Sequence, residues 1–567
     1  MSHRPTDEQQ AIIDAAATGA DLTIEAGAGT GKTSTLKMLA THAGQRRGVY
    51  LAYNKAIAAD AAKSFPSGVV CRTAHSFAFG AVGRRYAHRL NGPRVPARET
   101  AIIMGIREPV KVGEVMLAPQ QLARLATETI QRFCYSADEQ IQPRHVPLVP
   151  GLDRPGQVEL ARYLVPVAQR AWDTDLTRPD GRLRFTHDMY LKIWAMSGPQ
   201  LPGDYVLLDE AQDANPAVAA LVEAQQAQRI LVGDRCQAIY GWRGAVDAMA
   251  TFSGQRYQLS QSFRFGPAVA DEANKWLDLL DAPLRLRGYE RLDSHLAALA
   301  LDETDAVLCR SNAGAIEQVM TSLAAGCRVA LVGGGDEIRR MAEAAEALQA
   351  GRPVDHPELF TFRSWAEVRD YAEHDTAGSD LKVFVRLIDR YGPRAVIRVC
   401  DSLVDEQHAE LVISTAHRAK GREWDAVLIA GDFQEPKAED GGQAPALARE
   451  ECMLAYVAVT RARRVLDRYG LAWVDRYVDG VPGWQPAADP LPDPDPEPEP
   501  LVDTPYGPLP ASDAAHLADH GYILAPPGGS RYATLLDDCR RCGAHHTECR
   551  CALGPDRTVA LAAGTGG

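Results

Sequence analysis

Lys32 and Thr33 close a glycine-punctuated stretch, "AGAGTGKTS" (Ala26 to Ser34), that nearly completes the phosphate-loop pattern G-x-x-x-x-G-K-[ST]. Gly27, Gly29 and Gly31 let backbone amides turn toward phosphate oxygens, and the helix expected next adds its positive N-terminal end. Lys32 has the reach for β- and γ-phosphates, and Thr33 the hydroxyl for Mg²⁺. Ala26 stands where the general pattern has its first glycine. The competing reading is a glycine turn with an incidental lysine. The apolar run "DLTIEAG" before it and the helical "KTSTLKMLATHA" after it favour a nucleotide.

Hydrolysis at such a loop needs a second metal carboxylate and a group that activates water. "YVLLDEAQD" offers both, Asp209 on the metal side and Glu210 as candidate general base. "ILVGDRCQAIYGWRG" places Gln237 just past another apolar run, with Tyr240, Trp242 and Arg243 crowded behind it. Two aromatics beside an arginine can stack exposed bases and neutralise phosphate. In isolation, a core tryptophan with a solvated arginine describes them better. Arg264 in "LSQSFRFG" and Arg461 in "AYVAVTRARR" could face a γ-phosphate, but most arginines cover surfaces, and residue physics does not single these two out.

The elements that must position these residues follow from the apolar pattern. "GVYLAYN", "YVLLDEA", "RILVGD", "AVLCRSN", "ELVISTAH" and "DAVLIAGD" each read as a short buried strand ending in a polar or glycine-rich turn, with helical stretches between. That pattern predicts α/β domains with parallel sheets. Ligands of such sheets gather at the carboxyl ends of the strands, where nearly all the polar residues above are expected.

At 567 residues, 46% hydrophobic and 24% charged, the chain has the composition of a multidomain globular protein. No apolar run reaches the length of about 18 residues needed to span a membrane, and "MSHRPTDEQQ" does not read as a secretory leader, so a cytoplasmic location is expected. The net charge of −13 includes six acids (Asp489, Asp493, Asp495, Glu497, Glu499, Asp503) in one proline-rich segment; without them it is −7. Local basic patches, not net charge, therefore decide whether nucleic acid binds. The segment alternates proline with acid, which predicts a stiff, extended linker. Beyond it, "CRRCGAHHTECRC" carries Cys539, Cys542, Cys549 and Cys551 around His545 and His546. Four soft ligands so close can hold one Zn²⁺, against the alternatives of free thiols or a redox pair. The other seven cysteines are scattered singly.

Taken in order, the motifs resemble those of superfamily 1 DNA helicases of the UvrD/Rep/PcrA group, over about residues 4–475. "RPTDEQQAI" resembles the Q motif, which puts Gln9 near adenine. "AGAGTGKTS" is the group's own phosphate loop, beginning with alanine, so that Ala26, Gly27, Ala28, Gly29, Thr30, Gly31, Lys32, Thr33 and Ser34 would line the nucleotide; the group often has arginine in place of Ser34. "YLAYNKAIAADA" and "CRTAHSFAF" resemble the next motifs, implying that Asn54, Lys55, Thr73, His75 and Ser76 lie beside single-stranded DNA. "LLDEAQD" carries the group's trailing Gln212 and Asp213. "GDRCQAIYGWRGA" implies that Gln237 couples the γ-phosphate to DNA and that Tyr240, Trp242 and Arg243 contact DNA. "SQSFRFG" would set Phe263 on adenine and Arg264 at the γ-phosphate. "STAHRAKGREWDAVLI" gives Thr415 and His417 toward DNA and Glu423 toward ribose, and "EECMLAYVAVTRAR" gives Arg461 as second arginine finger. The F-box DNA helicase branch is the most similar, although no F-box is apparent.

The resemblance implies two RecA-like motor domains, 1–83 with 185–254 and 255–351 with 409–480. A mostly helical 1B insert would occupy 84–184 and a reduced 2B insert 352–408; beyond the resemblance, the composition read above gives the linker 481–512 and a tail with a zinc knuckle 513–567. It implies ATP and Mg²⁺ as cofactors, held between the motor domains. The implied partners are single-stranded DNA and its junctions with duplex, with stepping 3′ to 5′ in repair, recombination or replication; the Cys-rich tail, outside the resemblance, is read as a small DNA or protein adaptor on a stiff tether. Two alternatives stand beside it: a translocase that strips proteins with little unwinding, and a non-catalytic nucleotide-gated binding module.

Overall fold

The computed structural model describes residues 4–90, 95–113, 115–149, 152–239, 248–354, 356, 358–359, 362–374, 379–435, 447–476, 501–504 and 507–510. They fall into two compact units, 1–292 with 449–456, and 293–448 with 457 onward.

The first unit is built on six strands: β1 (Leu22–Ala26), β2 (Gly48–Leu51), β3 (Val69–Arg72), β4 (Tyr205–Leu208), β5 (Gln228–Gly233) and β6 (Gln255–Leu259). They lie in the order β3-β2-β4-β5-β1-β6, and every pairing is parallel. β1, β2 and β4 are buried at every residue, as expected of strands covered on both faces. Successive side chains divide between two cores. Tyr50, Tyr205 and Leu207 join Ile12, Leu36 and Leu39 on one face. Val49, Leu51, Val206 and Leu208 join Ile130, Phe133, Leu164 and Trp194 on the other.

This second core also takes in the segment 84–184, expected as the 1B insert. It is mostly helical, with one hairpin pairing Val110–Val112 with Val115–Leu117. The helix Pro119–Tyr135 buries Leu122, Ala126, Ile130 and Phe133 as one stripe, so it needs a partner surface. The face of the sheet supplies it, and the helix His187–Met196, beyond the expected end of the insert, packs into the same core.

One expected boundary is corrected. Residues 255–259 were placed in the second motor domain, yet β6 pairs with β1 along its whole length and the first unit runs to residue 292. β6 is an edge strand with only Leu259 buried, so its sequence carries no core signal.

The second unit has strands β7 (His295–Leu296), β8 (Ala306–Cys309), β9 (Val329–Leu331), β10 (Leu411–Thr415), β11 (Trp424–Ile429) and β12 (Ala462–Asp467). Their order is β9-β10-β8-β11-β12-β7, again parallel throughout. The segment expected as a reduced 2B insert adds the helices Trp365–His374, Ser379–Tyr391 and Pro393–Asp401. Their Trp365, Val368, Leu387, Ile388 and Val396 share one core with Val307, Ile316 and Val319, so this segment is part of the unit's body. Within the stretch expected to be wholly extended linker, Leu501–Thr504 pairs antiparallel with Gly507–Pro510. The proline–acid alternation stops at Pro500, and the leucine, valine and threonine that follow permit a strand.

Candidate active site

β1 runs directly into the phosphate loop. Gly29 and Gly31 take left-handed backbone (φ 72° and 77°), and Gly31 caps the helix Lys32–His42. Gly29 is further restricted by a neighbour: a Cβ there would lie 2.5 Å from Arg264 Cβ and 2.6 Å from Ser262 Oγ. Phe263 N–H donates to Gly29 O at 2.9 Å, so the segment after β6 is laid against the loop. Arg264 thus belongs to the first unit with Lys32, and not to the second motor domain in which the expected 255–351 boundary put it. Lys32 Nζ is 3.4 Å from Glu210 Oε1. Burial alone would push the Lys32 amine down, but Glu210, Asp234 and Asp209 outweigh burial and the opposing Arg264, holding it above its ordinary value.

Asp209 and Glu210 follow β4. Asp209 is buried, accepts hydrogen bonds from the Tyr50 hydroxyl and, at 3.0 Å, from Glu210 N–H. Burial and the neighbouring Glu210 raise its carboxyl to about 6, against the pull of Tyr50 and Lys32. Glu210 adopts a left-handed backbone, φ 52°, shared among described non-glycine residues only with Asp281. Such a residue stores about 1–3 kcal/mol and persists where its surroundings over-determine it. Gln212, fully buried, provides part of that constraint: its Nε2 donates to Glu210 at 2.6 Å and its Oε1 accepts Asp234 N–H at 3.1 Å. Gln212→Ala is therefore expected to slow hydrolysis about tenfold by freeing Glu210. Single-turnover ATP cleavage, compared with nucleotide affinity, checks this; a pure loss of affinity would count against it.

Asp234 is a site residue that sequence reading missed. It ends β5 as Asp209 ends β4, an apolar run closing on aspartate, and that repetition was the available signal. Its Oδ2 accepts from Gln237 Nε2 (2.7 Å) and from the Tyr456 hydroxyl (3.0 Å), and its Oδ1 from Cys236 N–H (3.1 Å). Burial raises its pKa more than Lys32 and these donors lower it. Gln237 is thereby brought next to the loop's charged cluster. Tyr50 and Tyr456 had no sequence signal.

Gln9 sits at the other end of the loop. It completes a capping box with Thr6, the two side chains exchanging bonds with each other's backbone at 3.0 and 3.2 Å, and its Nε2 donates to Thr35 Oγ1 at 3.0 Å. A Cβ on Gly31 would stand 3.7 Å from Gln9 Nε2 and 3.9 Å from Phe263 Cδ2, so Gln9 and Phe263 flank the same point. Phe263 is 42% exposed, with the Tyr289 ring 5.7 Å away and tilted 58°. Thr33 and Ser34 are exposed on the helix's first turn.

The residues assigned to DNA share a local role. Asn54, Thr73 and Thr415, which lie at or shortly after the ends of strands, each cap a helix, accepting the N–H of Ile57 (2.9 Å), Ser76 (3.1 Å) and Arg418 (3.4 Å). Lys55 is exposed; His75 Nε2 lies 3.0 Å from Asp188 Oδ1; His417 is half-buried at the carboxyl edge of the second sheet. Glu423 and Arg461 depart from the expectation of carboxyl ends: they immediately precede β11 and β12 and so lie at the amino edge. Arg461 is 1% exposed and donates to Val457 O, Arg422 O and Thr460 Oγ1, at 2.8, 3.3 and 2.9 Å. Tyr240, Trp242, Arg243 and the tail cysteines Cys539, Cys542, Cys549 and Cys551 lie outside the described residues. Among the described residues, no group of three or more His, Cys, Asp or Glu could hold a metal by itself, and no helix is long and apolar enough to cross a membrane.

Family models match two stretches of this chain: an AAA domain over residues 9–243 and a UvrD-like helicase C-terminal domain over 395–467. The F-box DNA helicase 1 of Gallus gallus is 31% identical over 503 residues, covering 81% of this chain and 48% of that protein. The F-box DNA helicase protein 1 of Schizosaccharomyces pombe is 27% identical over 514 residues, 81% of this chain and 57% of its own. DNA helicase IV of Escherichia coli is 36% identical over 87 residues, 13% of each chain. The chain thus spans about half the length of the F-box relatives. The matched stretches contain the phosphate loop, the Asp209–Glu210 pair, Gln237 and Arg461, and the chain belongs to the UvrD-like superfamily 1 helicases, near the F-box DNA helicase branch.

Proposed function

We propose that the protein is an ATP-dependent DNA helicase that moves on single-stranded DNA, 3′ to 5′. The observation that carries this reading is the cluster under the glycine loop: Lys32 among Glu210, Asp209 and Asp234, with Gln237 bonded to Asp234. A cation held charged by three carboxylates at the N-terminus of a helix suits a triphosphate with its metal. Thr33 and Asp209 would hold Mg²⁺, which when bound supplies neutralisation of the charge on the β- and γ-phosphates. Lys32 and Arg264 bind the phosphates, Glu210 orients and deprotonates the attacking water, and Gln9 and Phe263 flank the base. Arg461 enters as a second arginine. It is buried in its own unit, so a test on Arg461→Ala must separate lost kcat from lost folding.

Asn54, Lys55, Thr73, His75, Thr415 and His417 are proposed to meet the DNA backbone, and Tyr240, Trp242 and Arg243 its bases. Trp242→Ala is expected to remove a stack of about 1–3 kcal/mol and weaken the DNA stimulation of ATPase activity. Full stimulation in that variant would remove Trp242 from the account. Zn²⁺ in the Cys539–Cys551 tail, holding a DNA or protein adaptor, is the proposal for that segment; metal content with and without Cys539→Ser and Cys542→Ser tests it.

One observation favours a second reading, a translocase that displaces proteins and unwinds little. The 352–408 segment is short and packed into the body of the second unit. Displacement of tailed duplexes, with 3′ and 5′ tails run side by side, beside a translocation assay on single strands separates the two readings and sets the polarity.

A further inference from the structure

Residues 449–456, the larger part of the helix Arg449–Val459, belong to the first unit although they lie far along the chain from its strands. The residue that anchors them to the site is Tyr456, with no exposed surface. Its hydroxyl accepts Ala28 N–H at 3.1 Å and donates to Asp234 Oδ2 at 3.0 Å. Gln237 Nε2 reaches the same carboxylate oxygen at 2.7 Å. One phenol therefore joins the phosphate-loop backbone, the aspartate that faces Lys32, and Gln237. Burial and Asp234 push the phenol's pKa far up, so it works as a neutral donor and acceptor. A neutral hydroxyl between an amide and a carboxylate has its direction fixed: it can accept only from the amide and donate only to the acid. Five residues further along the same stretch of chain stands Arg461.

We propose that Tyr456 is a positioning residue for ATP hydrolysis: its hydroxyl locks the Ala28 amide and the Asp234–Gln237 pair into one unit. A displacement of the loop is then passed to Gln237. The proposal rests on the ATPase reading above and adds a residue to which neither composition nor motif spacing gave a role. Buried networks of this kind are stronger than their separate bonds, and removing one member is felt by the rest.

Tyr456→Phe in the full chain deletes one oxygen and keeps the ring. The expected result is a fall of about tenfold in kcat with single-stranded DNA present, with KM for ATP within about twofold, after normalising to folded protein by thermal unfolding. Gln237→Ala and the double variant complete a cycle. Residues of one unit should not add, so the double variant should lose no more than the worse single one. A kcat within twofold of wild type after normalisation overturns the proposal, because a role in ring packing alone survives this substitution. Losses that multiply in the double variant also overturn it. Absence of ATPase activity in the wild-type chain would instead overturn the proposed function itself, a distinct outcome.

Discussion

Lys32→Ala is expected to lower ATP hydrolysis by about 10²–10³-fold or more and to abolish unwinding, while single-stranded DNA is still bound. The magnitude is that of removing one preorganised charge from a site where negative charge develops. In this protein the loss is compounded: Lys32 stands among Glu210, Asp234 and Asp209, so removing it also leaves three carboxylates facing one another. Lys32→Arg should not rescue activity. It keeps the charge but replaces a compact ammonium on a flexible stem with a rigid planar fork, in a space bounded by Glu210 and the loop. Steady-state ATPase with saturating DNA reads the effect, and undiminished DNA-stimulated hydrolysis in Lys32→Ala would sink the assignment of the loop.

Glu210→Gln separates binding from chemistry. The amide has nearly the shape of the acid and can still accept the Gln212 hydrogen bond, so nucleotide affinity should change by less than about threefold while hydrolysis falls by about 10²–10⁴-fold. The left-handed backbone of Glu210 gives the comparison its force, because the strained φ of 52° is retained when only the charge is removed. Equilibrium binding of a fluorescent nucleotide beside single-turnover cleavage makes the measurement. Equal losses in both would mean that Glu210 holds nucleotide and does not activate water.

The two parallel sheets were legible in the sequence because β1, β2 and β4 in the first and β8 and β9 in the second are buried throughout, and a strand covered on both faces announces itself as an apolar run. Asp209 and Glu210 were legible because they follow such a run directly, and Lys32 because it closes the glycine loop into which β1 runs. The unit boundary was not, since β6 is an exposed edge strand held by backbone pairing to β1, and backbone bonds leave no side-chain signature. Asp234 could have been found by noticing that β5 ends as β4 does. Tyr50 and Tyr456 could not, because their contacts with Asp209 and Ala28 join residues 159 and 428 positions apart. Asn54, Thr73 and Thr415 show a different difficulty. A residue that caps a helix at the end of a strand and one that meets a phosphate there share the same chemistry, a short polar side chain beside exposed amides.

The most direct test of the central claim is ATP hydrolysis by the purified full chain, with and without single-stranded DNA. The expected result is Mg²⁺-dependent hydrolysis that rises severalfold or more when single-stranded DNA is added and disappears in Lys32→Ala. Hydrolysis indifferent to DNA, or no hydrolysis at all, would contradict the claim that this nucleotide site drives movement on DNA.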